Sequence, residues 1–476
     1  MRKRSGFILV LAILFLALLE LLAISVALRV PQGLRGAARL GDETAAYLAA
    51  EAGVQDTIAW LEFQLETGAE PEVVDRIGVL GEDSWTVQIE PDKYTYPKGH
   101  HSCRCYTLRG EGHHASQTRR IQVSIVQESF GRYARFVDHW PAVQDPATDV
   151  YYWAGRIHVN GPVHSNETLH IAAVPAFYQG SERFPHLFDT DWVSSVEPVQ
   201  YQGAAPADDS QTRLLYSRIE PSKTPRRVEK ISMPSLISLE SHARAEGAVP
   251  GDPPLRIYPN GGLYINGNVD EMLMESSGST STQTFRMGPK TYQLVEHFPN
   301  LGATLSGPGV SQQVDGHLNG LVYVNGSVFA FEGVNGGEHT LVTDIIKDHV
   351  NSITLTGNVT NAQGAHLGLI TDHLVLPEPA KLPRTTVQLQ AALYLVGKDH
   401  DGGFVVKDIL AQPDIVGHLE IFGCLIEGTR VRCADVPNNS GWNVEVDFNS
   451  KARHNPAPFF PALPRFEVTA IQAEQR

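Results

Sequence analysis

Four cysteines in 476 residues are too few to staple a chain of this size, so a disulfide framework does not organise it. Positive charge is also scarce. Lys and Arg number 38 against 53 Asp and Glu, a formal net charge of −15, which argues against nucleic acid as a partner. No G-x-S-x-G, H-E-x-x-H, Walker A or complete dinucleotide fingerprint occurs. Gly307-Pro308-Gly309 lacks the third glycine of a nucleotide loop and reads as a turn. Asp399-His400-Asp401-Gly402-Gly403 opens like a calcium loop but lacks the remaining ligands, including the distal Glu. No cofactor follows from these residues, and the chain reads as a non-enzyme.

Long apolar runs are rare too, with one exception. From Phe7 to Leu28 the only ionisable side chain is Glu20. As a helix this run is roughly 33 Å long, enough to cross a hydrocarbon core of about 30 Å. Arg2, Lys3 and Arg4 precede it, which predicts a cytoplasmic N-terminus and a remainder on the far side of the inner membrane. Ser25-Val26-Ala27 carries a small-x-small pattern, so cleavage after Ala27 is one alternative to a permanent anchor. Ser5-Gly6-Phe7 offers another, in which a short basic leader is cut after Gly6 and the apolar helix stays intact. A carboxylate at membrane depth is costly, so Glu20 either finds a partner in a helix–helix contact or stays neutral near the periplasmic end.

Beyond the run, Asp42 can cap a helix whose face is set by Tyr47, Ala50, Val54, Ile58, Leu61 and Leu65, and which ends near Gly68. Pro31, Gly33 and Gly36 predict a kink or a short unwound piece between the two helical stretches. The segment Ala45-Ala46-Tyr47-Leu48-Ala49-Ala50-Glu51-Ala52-Gly53 resembles the A-x-x-A-A-E-A-G stretch of the PilX-type minor pilin N-terminal region, and the Gly6-Phe7 junction fits the same family. The resemblance covers about the first 65 residues. It implies a helix that docks against other pilin-like subunits. Leu11 departs from the family pattern, since major pilins carry Glu at that place, and this implies a minor or tip component.

With 42 Gly, 30 Pro and few amphipathic helical patterns after residue 70, the remainder reads as turn-rich β structure. Polar and apolar residues alternate in Ser84–Ile89, Cys105–Leu108 and Arg120–Val126, which predicts a small pilin-like sheet between Gly81 and Phe136. His100, His101, Cys103, Cys105, His113 and His114 offer zinc-type donors if a turn at Gly110 to Gly112 folds the histidines back. Their spacing matches no standard zinc motif, and surface histidines beside an incidental cysteine pair are the plainer account. Near the C-terminus, a Gly428-Thr429 turn would place Cys424 opposite Cys433 at a non-hydrogen-bonded pair, which predicts a cross-strand disulfide.

One phrase recurs, a short strand, a Gly corner and a second strand: Gly155–Val163, Gly262–Val269, Gly320–Val328, Ser352–Val359 and His418–Ile426. Copies of a unit that cannot bury a face alone bury it by stacking, so an irregular β-helix or β-solenoid is expected, with a β-sandwich as the alternative. Gly161-Pro-Val-His-Ser-Asn166, the later Gly-Leu-Val-Tyr-Val-Asn-Gly phrase and Leu367–Thr371 resemble a domain of undefined function that accompanies pilin-like N-termini in envelope proteins, over about 130–430. His164 and Ser165 are poorly placed as base and nucleophile, because adjacent strand residues point to opposite faces.

The expected layout is a leader (1–6), a transmembrane helix (7–30), its periplasmic extension (31–68), a pilin-like sheet (69–136), an irregular β region (137–256), a β-helix-like domain (257–433) and a tail (434–476). The fold class is mostly β with a long N-terminal helix. The expected role is that of a single-pass minor component of a type IV pilus or type II secretion-like assembly, its partners the inner membrane, other pilin-like subunits and surface glycans. The runner-up is a membrane-tethered glycan-binding or glycan-cleaving β-helix protein, which needs two carboxylates about 5 to 10 Å apart.

Overall fold

The computed structural model describes residues 5–67, 71–91, 103–140, 157–172, 192–202, 226–234, 236, 239–245, 254–298, 302–316, 318–345, 350–379, 385–406, 416–429, 433–435, 440–453 and 455–473. It is mostly β, with one long helix at the front. The chain forms two compact units, one of Met1–Asp92, Cys105–Ile125 and Phe466–Arg476, the other of Lys93–Arg104 and Val126–Arg465.

In the first unit a single helix runs from Ser5 to Glu66. The unwound piece expected at Pro31, Gly33 and Gly36 does not form, since a proline removes one backbone donor and the helix continues around it. The rear of the helix buries Ala46, Ala49, Ala50, Val54, Ile58 and Leu61, four of which lie on the face set out from periodicity. Tyr47 and Leu65, on the same face, are half-buried. The helix lies on a sheet ordered Arg76–Leu80, Asp83–Pro91, Cys105–His114, Gln117–Ser129 and Ala462–Ala473. The first three strands are antiparallel neighbours. Trp85, Val87, Ile89, Leu108, Ile121, Val123 and Ile125 point from alternate positions into the core.

Glycine sets how close helix and sheet come. A Cβ on Gly112 would lie 2.1 Å from the Ala46 carbonyl oxygen and 2.4 Å from the Ala50 nitrogen. The strand from Cys105 to His114 therefore passes straight through Gly110 and Gly112, which make room for helix backbone instead of forming a turn. On the helix side, Gly53 makes the same allowance for the Trp85 ring, which would sit 2.6 Å from a Cβ there. Small residues at 46, 49, 50 and 53 thus have a packing cause.

The second unit is built of parallel ladders. In the first ladder Leu263–Asn266 pairs with Leu321–Asn325, then in turn come Glu338–Thr343, His366–Thr371, Ala392–Leu395 and the end of Val416–Thr429. Arg135–His139, Val163–Ser165, Val193–Ser195 and Arg226–Arg227 continue it, every neighbour parallel. The second ladder stacks Glu271–Ser277, Val328–Asn335 and Ser352–Asn361, then on through Thr386–Leu389, the start of Val416–Thr429, Ser440–Phe448 and Ile157–Asn160. Val416–Thr429 belongs to both ladders and joins their pairings into one circuit. An antiparallel meander from Thr280 to Val314 is appended to Glu271–Ser277.

Leu341, Leu369, Leu393 and Leu425 stack in register on the inner face, against Phe331, Leu355, Leu389 and Ile421 of the second ladder. On the opposite face of the first ladder a second register column holds Tyr264, Tyr323, Val342, Ile370, Tyr394, Ile426, Phe136 and His164. Both faces are covered, which is why these strands read as continuous apolar runs.

Four copies of the recurring Gly phrase mark corners, in two phases, while the copy at Ser352–Val359 runs inside the single strand Ser352–Asn361 of the second ladder. The copies at 262 and 320 run from the first ladder into the second, and those at 155 and 418 run from the second into the first. The stretch expected as a tail is structured. Ser440–Phe448 lies in the second ladder, and Ala462–Ala473 completes the sheet order of the first unit.

Candidate functional site

Along the front of the helix, Ile13, Leu14, Phe15, Leu16, Leu18, Leu19, Leu21, Leu22, Ile24 and Val26 are each 49–68% exposed, covering every azimuth of the cylinder. Glu20 is exposed among them. Among the described residues no helix is long and apolar enough to cross a membrane. The apolar side chains described there end short of the expected span, 13–27 covering roughly 22 Å. The side chain of Phe7 lies outside the described residues, as does any side-chain environment at Gly6.

Among the described residues the candidate zinc-type donors do not come together. His100 and His101 lie outside the described residues, while Cys105 and His113 stand near opposite ends of one straight strand, on the order of 26 Å apart. His113 Nδ1 meets Thr118 Oγ1 at 3.1 Å, and His114 Nδ1 bonds Asp83. That carboxylate raises the His114 pKa. Cys103 is buried at the start of the second unit.

The Cys424–Cys433 disulfide is likewise absent: all four cysteines are thiols. The hairpin fails because both edges of the strand at Cys424 to Thr429 are already taken, by Ala392–Leu395 on one side and Arg135–His139 on the other. The strand runs through Gly428, and burial pushes the Cys424 thiol up to about 12.

His164 and Ser165 face opposite ways. His164 is packed between Tyr133 and Phe136, with ring centroids at 5.6 and 5.0 Å. Its Nε2 donates to Asn166 Oδ1 at 2.9 Å, and its Nδ1 accepts from the Ser194 hydroxyl at 2.9 Å. Burial drives its pKa down to about 4, so it is a neutral ring in the aromatic column. Ser165 Oγ instead accepts from Trp140 Nε1 at 3.1 Å.

The network extends to groups the sequence did not flag. Asn166 Nδ2 donates to Asp138 Oδ1 at 2.5 Å and to the Ile231 carbonyl at 2.7 Å. Asp138 Oδ2 is 3.2 Å from His139 Nε2 and bonds His400 Nδ1. Glu167 Oε1 meets His139 Nδ1 at 2.8 Å, while its Oε2 accepts the Trp140 N–H at 2.9 Å. His400 reaches in from the segment read as a calcium-loop start, its backbone at φ 61° and its carbonyl accepting from Thr429 Oγ1 at 2.7 Å. Asp138 and His400 stand 262 positions apart, so no local spacing could have joined them.

Two features thus define the class of protein: a helix apolar all round at its front and seated on a small sheet at its rear, and a large unit of parallel ladders. Residues 102–182 match the model of DUF4900, a domain of unknown function. No curated protein matches. Among solved structures the chain is similar to the competence-associated pilin ComZ from Thermus thermophilus at 12% identity, over 91% of this chain and 97% of that one. The TM-score is 0.27, too loose a likeness to transfer any residue's role.

Proposed function

We propose that this chain is a pilin-like protein of the bacterial cell envelope, a PilX-type minor component of a type IV pilus or type II secretion-like assembly. Its helix docks into the inner membrane and against other pilin-like subunits, with the N-terminus cytoplasmic. The β-rich part serves outside as a structural or adhesive ectodomain, an adhesive role taking surface glycans, and the laddered unit is read as an irregular β-helix. The supporting observation is the contrast along one helix. Ten large apolar side chains between Ile13 and Val26 are about half exposed or more, whereas the rear of the same helix buries only one face. A helix that is apolar all round is covered by lipid or by other helices.

The test is made on the full chain in native membranes, with Leu18→Cys as a cross-linking probe. Cross-links to other pilin-like subunits, release only by detergent and a mature N-terminus at Phe7 are the expected results. Recovery in the aqueous fraction without detergent, or a mature chain beginning at Leu28, overturns the reading.

A further inference from the structure

We propose that Asp138, His139 and His400 form a binding site for a divalent cation of the zinc class. One donor atom from each lies within 4.8 Å of the other two. Two imidazoles converge on a single carboxylate oxygen, and neighbouring ligand atoms around a first-row ion bound at about 2.0–2.2 Å stand some 3–3.5 Å apart. The 3.2 Å between Asp138 Oδ2 and His139 Nε2 fits that spacing.

Each donor is held from behind. Glu167 takes His139 Nδ1, which fixes the tautomer that leaves Nε2 as a ligand, and the Trp140 N–H in turn fixes Glu167. This is the carboxylate–histidine support found behind metal-bound imidazoles. Asn166 occupies Asp138 Oδ1, leaving Oδ2 to the imidazoles. Thr429 clamps the carbonyl of His400.

Burial and charge agree with a cation. The Asp138 side chain is 1% exposed, while those of His139 and His400 are 35% and 38% exposed, so the site is closed below and open to entry from solvent. With neutral imidazoles, Asp138 and Glu167 leave two negative charges that a dication would balance. Two nitrogens and one carboxylate oxygen suit Zn²⁺ and leave at least one position for water.

The competing arrangement is a metal-free one in which His400 hydrogen-bonds Asp138. To distinguish them, the full chain in detergent micelles is stripped with chelator and titrated with ZnCl₂ by calorimetry, and with Co²⁺ by visible absorption. We expect one saturable ion per chain, affinity lowered about 10–100-fold in Glu167→Gln and by at least about 100-fold in His400→Gln. Cys103→Ser, outside the proposed site, should bind as the parent does. His400 is on a partly exposed turn, so His400→Gln should keep the parent's circular dichroism. No saturable binding by the parent chain overturns the proposal, and so does undiminished binding by His400→Gln.

Discussion

The two units bury polarity in opposite ways. In the first, titratable groups stay near the surface: His114 meets Asp83 and Asp42, and Glu43 meets Arg39 and Arg119, around an apolar core of aliphatic residues with Trp85 and Tyr106. The second carries charge inside. Arg135 and Glu427 are both 0% exposed and joined by Nε–Oε2 contact at 3.0 Å, and His339 bridges Glu296 and Asn335 at 2.6 Å on either side. The small unit keeps its charge at the surface of an apolar core, whereas the large one buries ion pairs and polar networks alongside its stacked apolar columns.

Substitutions should separate the two, with hydrogen exchange read on peptides from Cys105–His114 for the first unit and Val416–Thr429 for the second. The largest effect is expected from Gly112→Leu, whose Cβ meets helix backbone that cannot yield as a side-chain tip would. A loss of about 5 kcal/mol or more, confined to the first unit, is the expected outcome. Protection of Cys105–His114 at the parent's level would show that the helix is not seated as described. Next comes Glu427→Ala, which strands a buried guanidinium and should cost the second unit about 3–5 kcal/mol. An equal loss in both units would contradict the division of labour.

Acid sharpens the comparison further. His164 falls from its ordinary 6.5 to about 4 through burial, so its contribution is whole above pH 6.5 and is lost as pH falls toward 4, a loss of up to about 3 kcal/mol. Asp372 works against it. Burial first, then the Asp401 and Asp344 charges, lift its carboxyl from 3.8 to about 7, so its contribution is whole in acid and lost as pH rises through 7. Asp372→Asn can still accept the Asn351 N–H and should unmask the His164 slope between pH 4 and 6.5. The same variant should gain about 2 kcal/mol at pH 8. Denaturant melts of the second unit at pH 4.5, 6.5 and 8 check both statements, and parallel curves for parent and variant would refute them. His114, raised by Asp83, gives the first unit a slope opposite to that of His164, stronger in acid and weaker as pH rises.

What was legible in the sequence is what is local. The period of Ala50, Val54, Ile58 and Leu61 set the seated face, and alternation located Trp85, Val87 and Ile89. The Gly phrase located four corners but not their phase, because either ladder can precede a glycine corner, and at Gly357 the same phrase runs on inside one strand. Gly110 and Gly112 read as a turn because glycine permits a turn and a close approach alike, and only the helix lying above them decides. The cysteine hairpin failed because pairing counted outward from a turn ignores partners already holding both edges. Asp138 and His139 on one strand, Glu167 just past the end of the next and His400 on a turn come together only once the ladders have closed.

The order of the rungs has a further result for how the protein is made. Arg135–His139 is made before Leu425, Ile426 and Glu427, with which it pairs, and the first unit's sheet takes its fifth strand from Ala462–Ala473. A ribosome must therefore have made Val416–Thr429 and Ala462–Ala473 before either unit is whole. A prematurely terminated product would present bare strand edges, the template on which aggregates and proteolysis begin. Arrival of these late strands thus acts as an inspection step for the early ones.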